Sequence, residues 1–203
     1  DSRAPQVVAG GEAVLLPAPI QRRNELGDPT SHFDSDLGRE EAPGAIRVGV
    51  AHGGVVDFDG GEASSRIDPG RVESAELDYL ALGDWHGKKQ VRKRVWYSGT
   101  PEPDSFKQNG PGHVLGVEIE RLGAEPVVEP VETAQTRWIR KEVGIRREED
   151  LEAFRGWFED LPDPLNALVR LELRGRLGLK AMSSLEEVLD DLENTVLHLR
   201  RRG

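Results

Sequence analysis

Cysteine is absent from the 203-residue sequence, and methionine occurs once. A disulfide framework and any cysteine-based zinc site are therefore excluded, and we expect a cytoplasmic protein. Aromatic residues make up only 5% of the chain, and its apolar runs have the length of single strands. No membrane-spanning helix is therefore predicted, and no membrane partner. The sequence also lacks an initiator methionine, so we expect Asp1 to lie inside a longer protein.

An excess of basic charge is also lacking. The chain carries 27 lysines and arginines against 37 aspartates and glutamates, which gives a net charge of −10. This balance argues against a protein that binds nucleic acid through its overall charge, although a local basic patch would suffice for binding. Valine, leucine and isoleucine come in organised runs, which indicates a folded chain.

The pattern of apolar runs changes near residue 134 and predicts two domains. Residues 1–133 contain several strand-length runs, including 45–51 and 78–83, with a long Gly- and Asp-rich loop over 55–67. Short helices are predicted to begin at Asp28-Pro29 and Asp68-Pro69. Residues 134–203 predict strand–helix–strand–helix, with the last helix running from Ser183 to about Arg200. The expected fold class is mixed α and β.

Two of the predicted buried strands end in turns that carry histidine. The run 45–51 is followed by His52-Gly53-Gly54, and the run 78–83 is followed by Asp84-Trp85-His86. Sites in layered α/β folds lie where such strand ends converge. Imidazole and carboxylate groups are ligands of divalent metals, and two such ions are suited to phosphoester hydrolysis. Each segment alone is more simply interpreted as a polar turn, whereas the two together favour a metal site.

A basic cluster follows the second turn. Lys88, Lys89, Arg92, Lys93 and Arg94 place five cations in seven residues. They are predicted either to form one wall of a groove for the nucleic-acid backbone or to be a solvated hairpin, and the sequence does not choose between these alternatives. Trp85 lies between two candidate ligands and is predicted to line the substrate cleft.

Four segments resemble, in order, the second half of the calcineurin-like metallophosphoesterases, in the branch of the SbcD-type DNA repair exonucleases. They read IRVGVAHGG, LDYLALGDWHG, RVWYSGTPEP and GHVLGVEIE. The resemblance implies the C-terminal half of a four-layer sandwich over residues 1–133. It implies a capping module that positions DNA over residues 134–203. His52 matches a metal-binding histidine, and Asp84 and His86 match the two histidines of the family's GHxH motif, with aspartate in the first place.

In the family, three further motifs precede these segments, namely DxH, GDxxD and GNH followed by Asp or Glu, and none of them occurs ahead of the segments in this sequence. The resemblance therefore implies a two-metal phosphodiesterase, with Mn²⁺ as the expected metal, whose N-terminal half is missing and which is inactive without it. DNA, that missing half and an SbcC-type ATPase are the implied partners, and a homodimer is compatible. Two alternatives stay open: a non-catalytic scaffold or DNA-binding subunit with a degenerate metal site, and a metallophosphatase for small molecules.

Overall fold

The computed structural model describes residues 2–20, 27–55, 66–106 and 110–202. The chain has a mixed α/β fold and divides into two compact units. The first unit comprises Asp1–Pro101 and Gly112–Glu132, and the second comprises Glu102–Pro111 and Thr133–Gly203. This division differs from the sequence-based one in placing Glu102–Pro111 with the second unit. No described helix has the length and apolar composition needed to cross a membrane.

The described part of the first unit is built mainly from strands. In chain order its elements are β1 (Gln6–Val8), β2 (Ala13–Ala18), β3 (Ile46–His52), β4 (Gly54–Val55), β5 (Arg66–Ile67), α1 (Arg71–Ser74), β6 (Tyr79–Gly83), β7 (Lys89–Arg92), β8 (Val95–Tyr97), β9 (His113–Glu118) and β10 (Val127–Glu132). Six of the strands form one sheet in the order β1-β2-β3-β6-β8-β7. The four central strands, β2, β3, β6 and β8, run parallel, so their carboxyl ends lie at one edge of the sheet.

One face of this sheet packs on the turns and short helix that connect its strands. Its core includes Val14, Leu16, Leu80, Leu82 and, from the connections, Phe33, Val72 and Leu77. Gly49 has to be small, because a Cβ there would lie 2.9 Å from Leu80 Cδ1 and 3.1 Å from Phe33 Cε2. The side chain of Arg47, 1% exposed, points into the same layer and donates hydrogen bonds to the carbonyl oxygens of Asp34 (2.6 Å) and Ala75 (3.1 Å).

The opposite face of the sheet is only partly covered. Along β3 the side chains alternate in burial, and Val50 on the second face is 44% exposed. Strands β9 and β10 form an antiparallel hairpin, and a cavity of about 290 Å³ separates this hairpin from β6 and β8. Tyr79, Ala81, Trp96 and Val114 are among the residues that line this cavity. Apolar surface thus stays accessible beside β3 in the described part of the chain.

Several predicted elements of this unit are wrong in detail. No helix follows Asp28: residues 28–44 form successive turns, because the Asp28 carboxylate accepts bonds from Thr30 N (2.8 Å) and Thr30 Oγ1. The helix predicted to begin at Asp68-Pro69 is limited to the four residues of α1. Strand β2 includes Pro17, since β1 pairs only as far as Leu15 and leaves Pro17 without a partner strand on that side. The basic cluster lies on and beside the hairpin of β7 and β8. The predicted loop 55–67 lies largely outside the described residues.

The second unit contains a three-stranded parallel sheet and two helices. In chain order its elements are β11 (Arg137–Ile145), α2 (Glu148–Glu159), β12 (Ala167–Gly175), α3 (Leu179–Thr195) and β13 (His198–Arg202). The helices cover one face of the sheet, where Val143, Val169, Leu171 and Leu199 contact a core that includes Phe154 and Leu192. The other face is formed by the alternate residues of each strand.

The end of the chain differs from its prediction. Helix α3 begins after Gly178, so Ser183 does not cap it, and it ends at Thr195. The last five described residues form the strand β13, not a further helical turn. His198, predicted on a helix, therefore lies on a strand. The strand was missed because its sequence, HLRRR, has one apolar residue and so no visible alternation.

Candidate functional site

His52 and Asp84 lie together at the carboxyl edge of the six-stranded sheet. β3 and β6 are parallel neighbours, and His52 is in register with Gly83. Glycine at position 83 leaves room for the imidazole, since a Cβ would lie 2.8 Å from His52 Nδ1 and displace the ring. The backbone N–H of Gly53 donates to the Gly83 carbonyl oxygen at 3.1 Å and joins the two strand ends. The sequence thus positions the imidazole directly beside the residue that precedes Asp84.

The two side chains face each other in the open. His52 Nε2 lies 3.6 Å from Asp84 Oδ1, and the side chains are 55% and 56% exposed. Asp84 has a φ of 105°, a left-handed conformation that is unfavourable for a residue with a Cβ. Such strain persists where the surrounding structure enforces it, and it is frequent at functional sites. The backbone therefore presents the carboxylate to the imidazole at some cost in stability.

Tyr97 supports the turn that follows His52. Its hydroxyl donates to the Gly53 carbonyl oxygen at 2.7 Å, and the residue is 3% exposed. Burial, and to a lesser degree the negative charge of Asp84, raises the pKa of Tyr97 to about 12. The phenol is therefore neutral near pH 7 and acts as a fixed donor.

His86 is held through its backbone by a neighbouring turn. Its carbonyl oxygen accepts a hydrogen bond from Thr100 N at 3.0 Å. Gly99 makes this close approach possible: its φ is +77°, and a Cβ there would lie 2.6 Å from His86 O. Within the described ranges, no three His, Cys, Asp or Glu side chains come close enough to hold one metal ion. The structure therefore joins His52 with Asp84 but does not add His86 to them as a third ligand.

The paired donors fit a divalent cation chemically but incompletely. An imidazole nitrogen and a carboxylate oxygen suit Mn²⁺ or Zn²⁺, and both side chains are accessible. Such ions take about four to six ligands, so His52 and Asp84 together supply fewer than half of a six-coordinate set. The remaining donors of a metal site would have to come from elsewhere.

Trp85 and two lysines lie beside the pair. Trp85 is 48% exposed, and Lys89 Nζ lies 4.8 Å from its ring centroid, which is a cation–π contact. Gly87 leaves room for the ring, because a Cβ there would lie 3.1 Å from Trp85 Nε1. Lys88 is exposed. Trp85 with these two cations provides a flat, positively charged surface next to His52 and Asp84.

The rest of the basic cluster is tied to acids and carbonyl groups of the same unit. Arg92 contacts Glu73 at 3.2 Å, and Lys93 contacts Glu125 at 3.1 Å. Arg94 donates to the Gly123 carbonyl oxygen at 2.7 Å. Arg94 also lies 3.5 Å from the buried carboxylate of Asp78, which accepts the backbone N–H groups of Arg47 and Gly123. Arg94 thus helps to hold the 121–123 loop on the sheet.

The sequence did not point to the support given by Gly83 and Gly99, since a lone glycine has many possible causes. The signal of Gly83 lay in its position directly before Asp84, whereas Gly99 lies far along the chain from His86 and had no such signal. In comparisons with protein-family models and with curated proteins, nothing matches the chain. Its function is therefore argued from the site itself.

Proposed function

We propose that the chain is the C-terminal part of a two-metal-dependent phosphodiesterase that acts on DNA, of the SbcD exonuclease type. The observation that carries the proposal is the pairing of His52 with a strained Asp84 at the carboxyl edge of parallel strands. A further part of the enzyme would supply the remaining ligands. In this view the first unit is half of a four-layer sandwich, the second unit is a capping module, and the protein is cytoplasmic.

Each residue of the site has a part in this function. His52 and Asp84 hold one of two divalent ions, with Mn²⁺ expected, and His86 contributes to the other. When bound, such ions polarise the phosphate and lower the pKa of a coordinated water. Lys88 and Lys89 attract the phosphodiester backbone, and Trp85 lines the cleft. Arg92, Lys93 and Arg94 extend the positive potential, although their ion pairs reduce its strength.

The uncovered apolar face beside β3 supports the need for a further part of the enzyme. Val50 is 44% exposed in a central strand, and the hairpin β9–β10 lies over β6 and β8. Central strands of parallel sheets are normally buried on both faces. An SbcC-type ATPase as a further partner, and a homodimer, belong to the same proposal.

The experiment uses the product of the whole gene that encodes this chain. Mn²⁺-dependent hydrolysis of linear DNA is measured for the wild type and for His52→Ala, with His113→Ala as the control in the same unit. We expect His52→Ala to lower hydrolysis by about 100-fold or more, because even residues that only orient a ligand are worth 10- to 100-fold. His113→Ala should retain activity.

The remaining outcomes separate the other candidate functions. A small chromogenic phosphodiester is assayed beside DNA. Metal-dependent hydrolysis of this ester alone would replace the nuclease by a small-molecule metallophosphatase. DNA binding without hydrolysis in Mn²⁺ would leave the non-catalytic scaffold, a candidate favoured by the lack of a third ligand among the described residues.

A further inference from the structure

The open face of the second unit's sheet carries a row of three arginines. β11 pairs with β12 and β12 with β13, so that Arg140, Arg170 and Arg200 stand in register across the sheet. With strands about 4.8 Å apart, the row spans roughly 10 Å. Two residues earlier in each strand, on the same face, lie Trp138, Leu168 and His198. Two residues later lie Glu142, Glu172 and Arg202.

Charge in this unit is segregated between the two layers. Helices α2 and α3 together carry ten acidic and two basic residues, whereas the open face of the sheet carries five arginines and two glutamates. On the helix-covered face, Arg201 is bound by acids of α3, namely Glu186, Asp190 and Glu193. The positive face is therefore a local feature of a chain whose net charge is −10.

Two glutamates hold the arginine row in place and neutralise part of its charge. Glu172 accepts bonds from Arg140 at 3.2 Å and from Arg170 at 2.7 Å, and the hydrogen bond from Arg140 lowers the pKa of the Glu172 carboxyl. Arg140 also contacts Glu142. In the described ranges no ion pair is formed by Arg200 or Arg202, and both side chains are exposed. The Nε group of Arg170 is a buried donor with no partner there.

We propose that this sheet face binds the sugar–phosphate backbone of a single-stranded nucleic acid along the arginine row Arg140, Arg170 and Arg200. The bases then lie towards Leu168 and the exposed His198, next to Trp138, whose ring packs against Phe106. Arg202 extends the cationic row at the edge strand. In making this strand a substrate the inference rests on the proposed function, whereas the binding itself needs no metal.

The shape of the surface favours a single strand over a duplex. A flat sheet face allows unpaired bases to lie against side chains, as single-strand binding surfaces of sheet proteins do. A duplex is instead read by elements that protrude into a groove, whereas the row consists of strand residues in register.

The test is fluorescence anisotropy of a labelled deoxythymidine oligomer with the whole chain in EDTA, where metal-dependent hydrolysis cannot occur. Arg200→Glu is compared with Arg176→Glu, which makes the same charge change at an exposed loop residue outside the row. We expect Arg200→Glu to weaken binding about 10-fold, and the slope of log K against log salt to become shallower by about 0.7 per lost phosphate contact. Arg176→Glu should stay within about 2-fold of the wild type.

Three results would overturn the proposal: no binding by the wild type, equal losses in the two variants, or a duplex of the same sequence binding as tightly as the single strand. Thermal unfolding checks that both variants are folded, and Arg200→Gln is a milder substitute with the same expected direction. Because binding is read without metal, a failure of the hydrolysis experiment leaves this result unaffected. Equally, a loss of binding here does not bear on the pair His52 and Asp84.

Discussion

Asp84 combines a left-handed backbone with a carboxylate directed at His52. The two features have opposite effects, since the conformation lowers stability while the carboxylate serves the site. A residue in this region of φ costs about 1–3 kcal/mol unless it is glycine. The strained conformation of Asp84 is thus maintained at the expense of stability.

We predict that Asp84→Gly stabilises the protein by about 1 kcal/mol, since relief of backbone strain exceeds the added entropy of the unfolded glycine. The same variant should lose Mn²⁺-dependent activity in the complete enzyme. Urea unfolding gives the stability change. Asp84→Asn is the control, because asparagine removes the charge but tolerates left-handed φ less well than glycine. A lower midpoint for Asp84→Gly would show that the carboxylate stabilises the turn.

Single residues of the site were predictable where their chemistry is rare. His52 and Asp84 stand out because imidazole and carboxylate groups follow apolar runs. Their distance was not predictable, since it depends on β3 and β6 being parallel neighbours in a given register. The burial of Arg47 was also not predictable, because a single arginine in the apolar run 45–51 is expected to face solvent. Its burial depends on hydrogen bonds to the carbonyl oxygens of Asp34 and Ala75, which belong to connecting segments.

The turn segment 28–44 shows how local polar bonds replace a helix. Asp28 binds Thr30 and also Arg71, at 3.0 Å, which ties the segment to α1. Burial acts to raise the pKa of Asp28, but the bonds from Thr30 and Arg71 outweigh it and hold the pKa below the usual 3.8. The ionised carboxylate is therefore the form that stabilises this element.

We predict that Asp28→Asn lowers the free energy of unfolding by about 1–2 kcal/mol at pH 7. Because the folded pKa is depressed, this contribution is complete above the unfolded pKa and is lost as pH falls through the folded value. The difference between wild type and variant should therefore shrink below about pH 4. Urea unfolding across pH measures it, with the exposed Asp36→Asn as a matched control. A difference that is constant with pH would contradict this account.

The elements predicted best are those in which apolar residues alternate, or recur at helical spacing, over many residues. The order of β11, α2 and β12 was predicted as strand, helix and strand, because apolar residues recur over two or three turns or pleats. β13 was missed because four of its five residues are basic or imidazole. Its place depends on Leu199 filling the core of the second unit, which is a tertiary effect.

At the scale of the whole molecule, the chain has two hydrophobic cores that share no residue among those described. Leu80 lies in the first core and Leu171 in the second, and each is fully buried. A change in composition indicated two regions, but the joining of Glu102–Pro111 to the second unit depends on contacts such as Phe106 with Trp138, ring centroids 4.8 Å apart. No local pattern in the sequence encodes such a contact.

We predict that Leu171→Ala destabilises the second unit by about 3 kcal/mol, through lost burial and the cavity that remains. Hydrogen exchange followed by mass spectrometry should then show roughly 100-fold faster exchange in β11, β12 and β13, since about 1.4 kcal/mol corresponds to a factor of 10. Strands β2 and β3 should keep their protection. Leu80→Ala is the reciprocal control and should loosen β2 and β3 while leaving β12 protected. If either variant lowered protection throughout the chain, the two cores would unfold as one cooperative body. Destabilising one unit would then also affect the other, so the arginine row and the His52–Asp84 pair could not be tested separately in this way.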